Sequence, residues 1–364
     1  MKKVAIITAF DPFAFRGGIE TYTRELAGLL ESYHIKTDIY HIGLIAEAHD
    51  FHNDYLGKLY VTGKRVLEHD DEYDFIIANA FYGFSYFPPR TKIYNIYHLT
   101  HKGFAEKVKH VVPLHQYLEW KLLWGDITES VSGFNRHKIA VSEGVKDELQ
   151  AYYGYDDVQV VPHGIDVQIF QKADKSRMRK KWNIPDGAFV GLYVGRWDTL
   201  KGCDVLEEVM LLTPDIYWIV VLGTGSDKST VPVHQHIRVI EQVRHEQLSE
   251  IYSASDFMFF PSRYEGFGYV VAEAMACELP VITTNVGIVQ TVYREEPLRT
   301  LLLTDAPSDQ EAFLSKCIEK IDIVRRNATL RNEICRASRR VIEKSFALEH
   351  WRTAMSYALG VSSR

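Results

Sequence analysis

Short β-rich apolar runs alternate with longer helical patterns from one end of this 364-residue chain to the other, and that alternation admits few folds. In the first half the runs are Val4–Ala9, Thr37–Ile42, Phe75–Asn79, Lys92–Tyr97, Lys138–Val141 and Val158–Val161. Helical patterns near Gly18–Glu31, Ala105–Ser130 and Glu143–Tyr152 separate them. The second half repeats the scheme, with runs at Phe189–Val194, Ile216–Leu222, Ile237–Ile240, Phe257–Phe260, Val281–Thr283 and Thr300–Leu303. Its helices are expected near Cys203–Leu211, Gln247–Ser253, Val270–Cys277 and Asp309–Val324. A run such as Phe257-Met258-Phe259-Phe260 has no polar alternation, so both faces of its strand must be covered, as in a parallel sheet with crossover helices on both sides.

At roughly 150 residues per domain the chain holds two domains. The seam falls after Val161, in Pro162-His163-Gly164-Ile165-Asp166, where Pro and Gly end a strand. The expected architecture is α/β: two doubly wound, Rossmann-like domains facing across a cleft, spanning residues 1–165 and 166–345. The last segment, 346–364, reads as a C-terminal helix (Leu348–Leu359) packing back on the first domain. Ligands of open α/β sheets bind outside the carboxyl ends of the strands, which is where chemistry is sought.

Composition removes several function classes. With 46% apolar and 25% charged residues the chain is globular, and a net charge of −6 gives nothing to neutralise a nucleic-acid backbone. Four scattered cysteines (Cys203, Cys277, Cys317, Cys335) without C-x-x-C fit a reducing cytoplasm. The apolar run after Met1-Lys2-Lys3 stops at Asp11, short of a signal peptide, and no uncharged stretch reaches the ~18–20 residues of a bilayer span. The charge is uneven: residues 1–165 carry 17 Lys and Arg against 22 Asp and Glu, and 11 of the 15 histidines.

Three segments at predicted strand exits carry chemistry. The first is Ser262–Thr283, in which Glu265 precedes Gly266 and Gly268, and a helix then opens that carries Glu273. A loop feeding a helix N-terminus is an anion site, and two acids flanking it match a ligand with hydroxyls at both ends and phosphates between. The alternative is an acid that merely complements the helix dipole, with Glu273 in solvent. The second is Val194-Gly195-Arg196-Trp197-Asp198-Thr199-Leu200-Lys201-Gly202. A cation at a helix start is unfavourable without an anion beside it, so Arg196 and Lys201 point to an anionic ligand; the alternative is a solvated strand-end Arg and a helix-start Lys. The third is Asp11–Thr21, whose Gly17-Gly18 turn lets backbone approach a phosphate but is not a dinucleotide fingerprint. His98, in Tyr97-His98-Leu99-Thr100-His101, lies at the same kind of edge. It reads as a ligand contact, as a core-edge histidine, or as part of a metal site with His101 and His110 or His115.

The segment E-G-F-G-x-x-x-x-E-A-M-A, followed by P-V-I, resembles the E-x7-E motif of the GT-B glycosyltransferases, specifically glycosyltransferase family 4. The resemblance implies that Glu265 contacts the sugar of a nucleotide donor, that Glu273 holds the ribose, and that the amides of Phe267, Gly268, Tyr269 and Val270 face sugar and diphosphate. V-G-R-x(4)-K-G is similar to the family's diphosphate-binding pattern, which assigns Gly195, Arg196 and Lys201. Gly18 matches the family's G-G-x-E loop, His98 its sugar-contacting histidine, and Val243 its base-contacting segment. Ser142 in V-S-E matches a helix cap, and Pro162–Asp166 the N-G-V-D hinge with His163 in place of Asn. The chain departs from the pattern at Leu99, where Asp often stands, and at Glu278, where Gly is usual. It also departs at Gly287–Gln290, which lacks an acid often found there, and at Glu295–Leu298, which replaces a glycine-rich turn.

By this resemblance the chain is expected to be a retaining hexosyltransferase that uses a nucleoside-diphosphate sugar. With no D-x-D triplet, Arg196 and Lys201 are expected to replace a metal, and neither metal nor cofactor is expected. A GT-B sugar-nucleotide epimerase and a non-catalytic GT-B-like partner subunit are the alternatives. The segment 100–129 mixes Lys102, Lys107, Lys109, Lys121 and three further histidines with Trp120 and Trp124. It is read either as a peripheral contact with an anionic membrane, reaching a sugar or lipid-linked acceptor, or as an ordinary amphipathic helix. The expected location is cytoplasmic, at most peripheral at the inner membrane face.

Overall fold

A computed structural model describes residues 2–15, 17–44, 55–86, 92–304 and 310–362. The chain divides into two compact units, residues 1–163 with 351–364 and residues 164–350. Each is built on a six-stranded, all-parallel sheet.

In the first unit the strands are β1 (Lys3–Ile7), β2 (Lys36–Tyr40), β3 (Phe75–Asn79), β4 (Ile93–Tyr97), β5 (His137–Ala140) and β6 (Val158–Val160), in spatial order β2-β1-β3-β4-β5-β6. In the second they are β7 (Val190–Gly195), β8 (Tyr217–Leu222), β9 (Ile237–Ile240), β10 (Phe257–Phe260), β11 (Val281–Thr284) and β12 (Leu302–Leu303), in order β12-β11-β10-β7-β8-β9. Every run expected from the sequence holds a strand, the last, Thr300–Leu303, only over Leu302–Leu303 because a 3-10 turn occupies Leu298–Leu301. The central ones are buried on both faces: Val4, Ile6, Ile77, Leu192, Met258 and Phe259 expose nothing. Gly191 in β7 makes room for the indole of Trp218, since a Cβ there would stand 2.7 Å from that ring.

The helices depart from expectation where the chain is least regular. The continuous helix expected over Ala105–Ser130 is broken into His101–Val108, Leu114–Leu118, Glu119–Glu129 and Ser130–Gly133. Pro113, which cannot continue a helix from the preceding turn, stands at the first break. Glu119–Glu129 is a π-helix. Within it the Thr128 hydroxyl donates to the carbonyls of both Leu123 and Trp124 at 2.7 Å, and Glu129 is fully buried. Among the described residues four α-helices had no counterpart in the sequence pattern: Tyr55–Leu67, Lys175–Lys181, Val289–Val292 and Ala328–Ser345. The last buries only Ile334, Ser338 and Ile342, one residue per turn, a stripe too narrow to read among its many charges.

The helix Leu348–Ala358 closes the first unit: the Trp351 ring meets Tyr22 at 5.6 Å, and the Tyr94 hydroxyl donates to the Leu359 carbonyl at 3.1 Å. Among the described residues no helix is long and apolar enough to cross a membrane.

Candidate functional site

The order of each sheet reverses at one place, between β1 and β3 in the first unit and between β7 and β10 in the second. Such switch points open a crevice at the carboxyl ends of the flanking strands, because successive crossovers leave in opposite directions. Gly18 follows β1 and His98 follows β4 beside β3, while Arg196 and Lys201 follow β7 and Glu265 follows β10; Val243 follows the edge strand β9, away from the switch point.

In the second unit β7 ends at Gly195, and Arg196 follows, half-exposed, with its Nε 3.3 Å from Asp198 Oδ2. The Tyr193 hydroxyl donates to the Arg196 carbonyl at 2.5 Å and fixes the strand exit. Asp198 also accepts from the Lys201 amide at 2.9 Å, which shapes the turn Thr199–Lys201. Gly202 then takes a φ of +75° at the N-cap of the helix Cys203–Leu212. A Cβ there would lie 2.3 Å from the Pro261 carbonyl oxygen, so only glycine lets this turn lie against the β10 exit.

That contact brings the two motifs together. Lys201 Nζ lies 2.6 Å from Glu265 Oε1, and the Ser262 hydroxyl donates to the same oxygen at 2.8 Å. Both partners are largely shielded, with side-chain exposures of 21% and 14%. Beyond Glu265, Gly268 (φ +90°) caps the helix Tyr269–Ala276, whose positive end is turned toward the same loop. Phe267 is buried, and its carbonyl accepts from the Ile288 amide at 2.8 Å. Tyr269 and Val270 are partly exposed at the helix start.

Glu273 is 1% exposed, which removes the reading that put it in solvent. Its Oε1 lies 2.7 Å from His245 Nε2, and its Oε2 accepts from the Tyr252 hydroxyl at 2.9 Å. Neither His245 nor Tyr252 was singled out in the sequence. The only signal was that His245 directly follows Gln242-Val243-Arg244. Val243 is partly exposed, and Gln242 before it takes a left-handed φ of +57°.

In the first unit the edge is of another kind. Gly18 opens the helix Gly18–Ser32 and is exposed, with Gly17 as its N-cap. A Cβ on Gly17 would meet the Glu20 carboxylate at 2.3 Å, so the glycine lets that buried acid fold back on the turn. Arg16, in the same loop, lies outside the described residues. His98 follows β4 and is 7% exposed, its Nε2 3.0 Å from Asn79 Oδ1 and its Nδ1 3.4 Å from His163 Nε2. The two imidazoles stack at 5.3 Å, and the Tyr22 ring meets both edge-on. Burial holds His98 down to about 3, and burial together with its neighbour His98 holds His163 well below the ordinary 6.5.

The other histidines weighed as metal ligands stand apart from this pair: His101 Nδ1 pairs with Glu129 at 2.8 Å, and His110 and His115 are exposed. Among the described residues no group of three metal-ligating side chains converges. The segment 100–129 differs from its sequence reading in two ways. Lys109 and Lys121 both bond Glu106, and Lys102 bonds Asp126, so most of its positive charge is matched within the fold. Trp124 is buried against Phe81 instead of facing outward. Leu114, Leu118, Leu122 and Ile127 are exposed.

Residues 174–338 match the family described as glycosyl transferases group 1. The matched stretch contains Gly195, Arg196, Lys201, Val243, Glu265, Phe267–Val270 and Glu273; Gly18 and His98 lie outside it. Over 169 residues the chain is 32% identical to D-inositol 3-phosphate glycosyltransferase 1 of Catenulispora acidiphila, covering 41% of this chain and 40% of that one. The chain spans about two fifths of the length of the curated relatives it matches. Among solved structures it resembles sucrose-phosphate synthase of Thermosynechococcus elongatus, with a TM-score of 0.81 at 21% identity over 99% of this chain and 98% of that one. It also resembles Anabaena HepE in complex with UDP-glucose, with a TM-score of 0.73 at 18% identity over the whole of both chains. The fold is GT-B, two Rossmann-like α/β units.

Proposed function

We propose that this chain is a retaining, metal-independent glycosyltransferase that moves a hexose from a nucleoside-diphosphate sugar to an acceptor hydroxyl. The observation that carries the reading is the pairing of Lys201 with Glu265 beside Arg196 and the start of the helix Tyr269–Ala276. A diphosphate that develops charge as it departs is stabilised by fixed cations and a helix N-terminus, with no reorganisation needed during the reaction. Arg196 and Lys201 take the diphosphate, Glu265 the sugar and Glu273 the ribose; Gly195, the backbone of Phe267–Val270 and Val243 complete the nucleotide site. In the first unit, Gly18 and His98 are by resemblance the counterparts of the family's G-G-x-E glycine and sugar-contacting histidine. A front-face displacement, in which the leaving phosphate accepts the acceptor's proton, fits a site whose sequence offers no evident nucleophile. The binding of UDP-glucose by Anabaena HepE supports a UDP-sugar as the first donor to try.

A calorimetric or thermal-shift panel of UDP-, GDP- and ADP-sugars tests the reading and fixes base and sugar together. A Kd in the micromolar range for one family of donors is expected; no binding of any nucleoside diphosphate sinks it in favour of a non-catalytic GT-B-like subunit. Turnover of the donor without acceptor, giving an isomerised sugar, identifies an epimerase instead.

The acceptor is proposed to be a glycan or glycolipid under assembly at the inner face of a membrane, reached from the cytoplasm. Leu114, Leu118 and Leu122 recur every four residues and are exposed, as are Lys107, His110 and His115 of the same segment, which suits shallow insertion among anionic lipids. Vesicles with about one-third anionic lipid should pellet the protein, and Leu118→Glu with Leu122→Glu should release it. No pelleting of the parent protein ends the membrane reading.

A further inference from the structure

His98 is buried where the sheet of the first unit opens at its carboxyl end, and every hydrogen of the chain of polar groups that holds it can be assigned. The Thr23 hydroxyl donates to the Ile19 carbonyl at 2.7 Å, so its oxygen is left to accept. The group that donates to it at 3.1 Å must be the amide nitrogen of Asn79, which fixes which end of that side chain is oxygen. Asn79 Oδ1 therefore faces His98 Nε2 at 3.0 Å and can only accept. An unprotonated Nε2 there would set lone pair against lone pair in a buried site, so Nε2 carries the proton. His98 is neutral, because burial without an acidic partner keeps its imidazolium form out of reach. Its Nδ1 is then an acceptor, and His163 Nε2, 3.4 Å away, must be its donor.

We propose that His163 and Asn79 are positioning residues that lock His98 as the neutral Nε2–H tautomer. The proposal deepens the glycosyltransferase reading and rests on it where activity is concerned. Hydrogens run in one direction, from His163 to His98 to Asn79 to Thr23 to the backbone of the helix Gly18–Ser32. Both nitrogens of His98 are consumed, so the ring has no proton to give a substrate and no lone pair to take one. Its contribution to transfer is therefore a fixed shape beside the β4 exit, not acid or base catalysis.

The test is long-range proton–nitrogen correlation NMR on the protein labelled with 15N-histidine, with His98 assigned by its absence in a His98→Gln variant. The expected spectrum shows His98 with a protonated Nε2 and an unprotonated Nδ1, unchanged between pH 6 and 8. A protonated Nδ1, or an imidazolium in that range, overturns the proposal whatever the enzyme does. His163→Gln, whose amide nitrogen can occupy the place of Nε2, should keep the tautomer and keep kcat for the donor found above within about threefold. His163→Leu, if folded by circular dichroism, should give mixed His98 tautomers, which a merely space-filling role of His163 would not produce. A single Nε2–H tautomer in His163→Leu shows that His163 is not the lock. If no donor is turned over while the NMR result holds, the functional reading fails and the lock stands.

Discussion

The carboxyl edges of the two sheets present opposite chemistry. At the second, Arg196 has a side chain 52% exposed, and Lys201 and Glu265 form a largely shielded ion pair within a glycine-shaped loop. At the first, His98 is 7% exposed, uncharged, and tied by both nitrogens into a buried relay. The sheets are alike in being parallel, six-stranded and reversed at one point. The fold thus supplies only the crevice, and the side chains at the strand exits decide whether it meets charge or shape.

If the charged edge carries the reaction's electrostatics, removing one of its cations must have the largest effect of any single change. Arg196→Ala is expected to lower kcat by on the order of 10²–10³, the cost of losing one preorganised donor to a developing oxyanion. Steady-state kinetics with the identified donor measure it. Activity within twofold of the parent would remove Arg196 from this role and erase the contrast between the two edges.

The neutral edge predicts a smaller effect that appears in stability. In the folded chain His98 stays uncharged down to about pH 3, whereas in the unfolded chain it takes up a proton as the pH falls through 6.5. The unfolded state then binds the additional proton, so the stability present above pH 6.5 is lost progressively between 6.5 and 3. At pH 5 the loss is about 2 kcal/mol for this one group. Urea midpoints at pH 7.5 and pH 5 should fall further for the parent protein than for His98→Gln, which has no such proton to gain. Equal falls would mean that His98 is not held neutral and would blur the comparison from the other side.

How much of this was legible in advance differs between the same two edges. The central strands could be read because a doubly covered parallel strand is a bare apolar run, whereas edge strands such as Lys36–Tyr40 and Ile237–Ile240 are only partly buried and were read from their place in the alternation. Arg196, Lys201, Glu265 and Glu273 were also legible, since a motif fixes residues close in sequence and a cation at a helix start asks for an anion. The partners of these residues were not. His245 and Tyr252 reach Glu273 from other elements, and Asn79 and His163 reach His98 across 19 and 65 residues. Such contacts depend on strand order, which spacing does not encode. The break in the segment 101–133 was hidden for a local reason: its composition favours a helix throughout, and only Pro113 marks the interruption. The pairing of Lys109 and Lys121 with Glu106 likewise turned a stretch that reads as basic into one mostly neutralised in place.

The smallest expected effect separates the frame of the second unit from its charged edge. Glu278, just after the helix Tyr269–Ala276 and at a position where the resembling family has Gly, takes a left-handed φ of +56°. A side chain in that region costs about 1–2 kcal/mol relative to ordinary backbone, and glycine bears no such cost. Against this, Glu278 pairs with Lys172 at 2.9 Å, but the lysine side chain is 56% exposed and such pairs contribute roughly 0–1 kcal/mol. Glycine also gives the unfolded chain more freedom to lose on folding, which removes part of the remainder. Glu278→Gly should therefore raise stability by up to about 1 kcal/mol, read as a small upward shift of Tm, and leave nucleotide binding unchanged because the far end of the helix is untouched. A lower Tm would show that the pair with Lys172 outweighs the backbone strain. A weakened nucleotide affinity would show that the helix transmits its C-terminal geometry to Gly268, and the charged edge could then no longer be treated as independent of the frame beneath it.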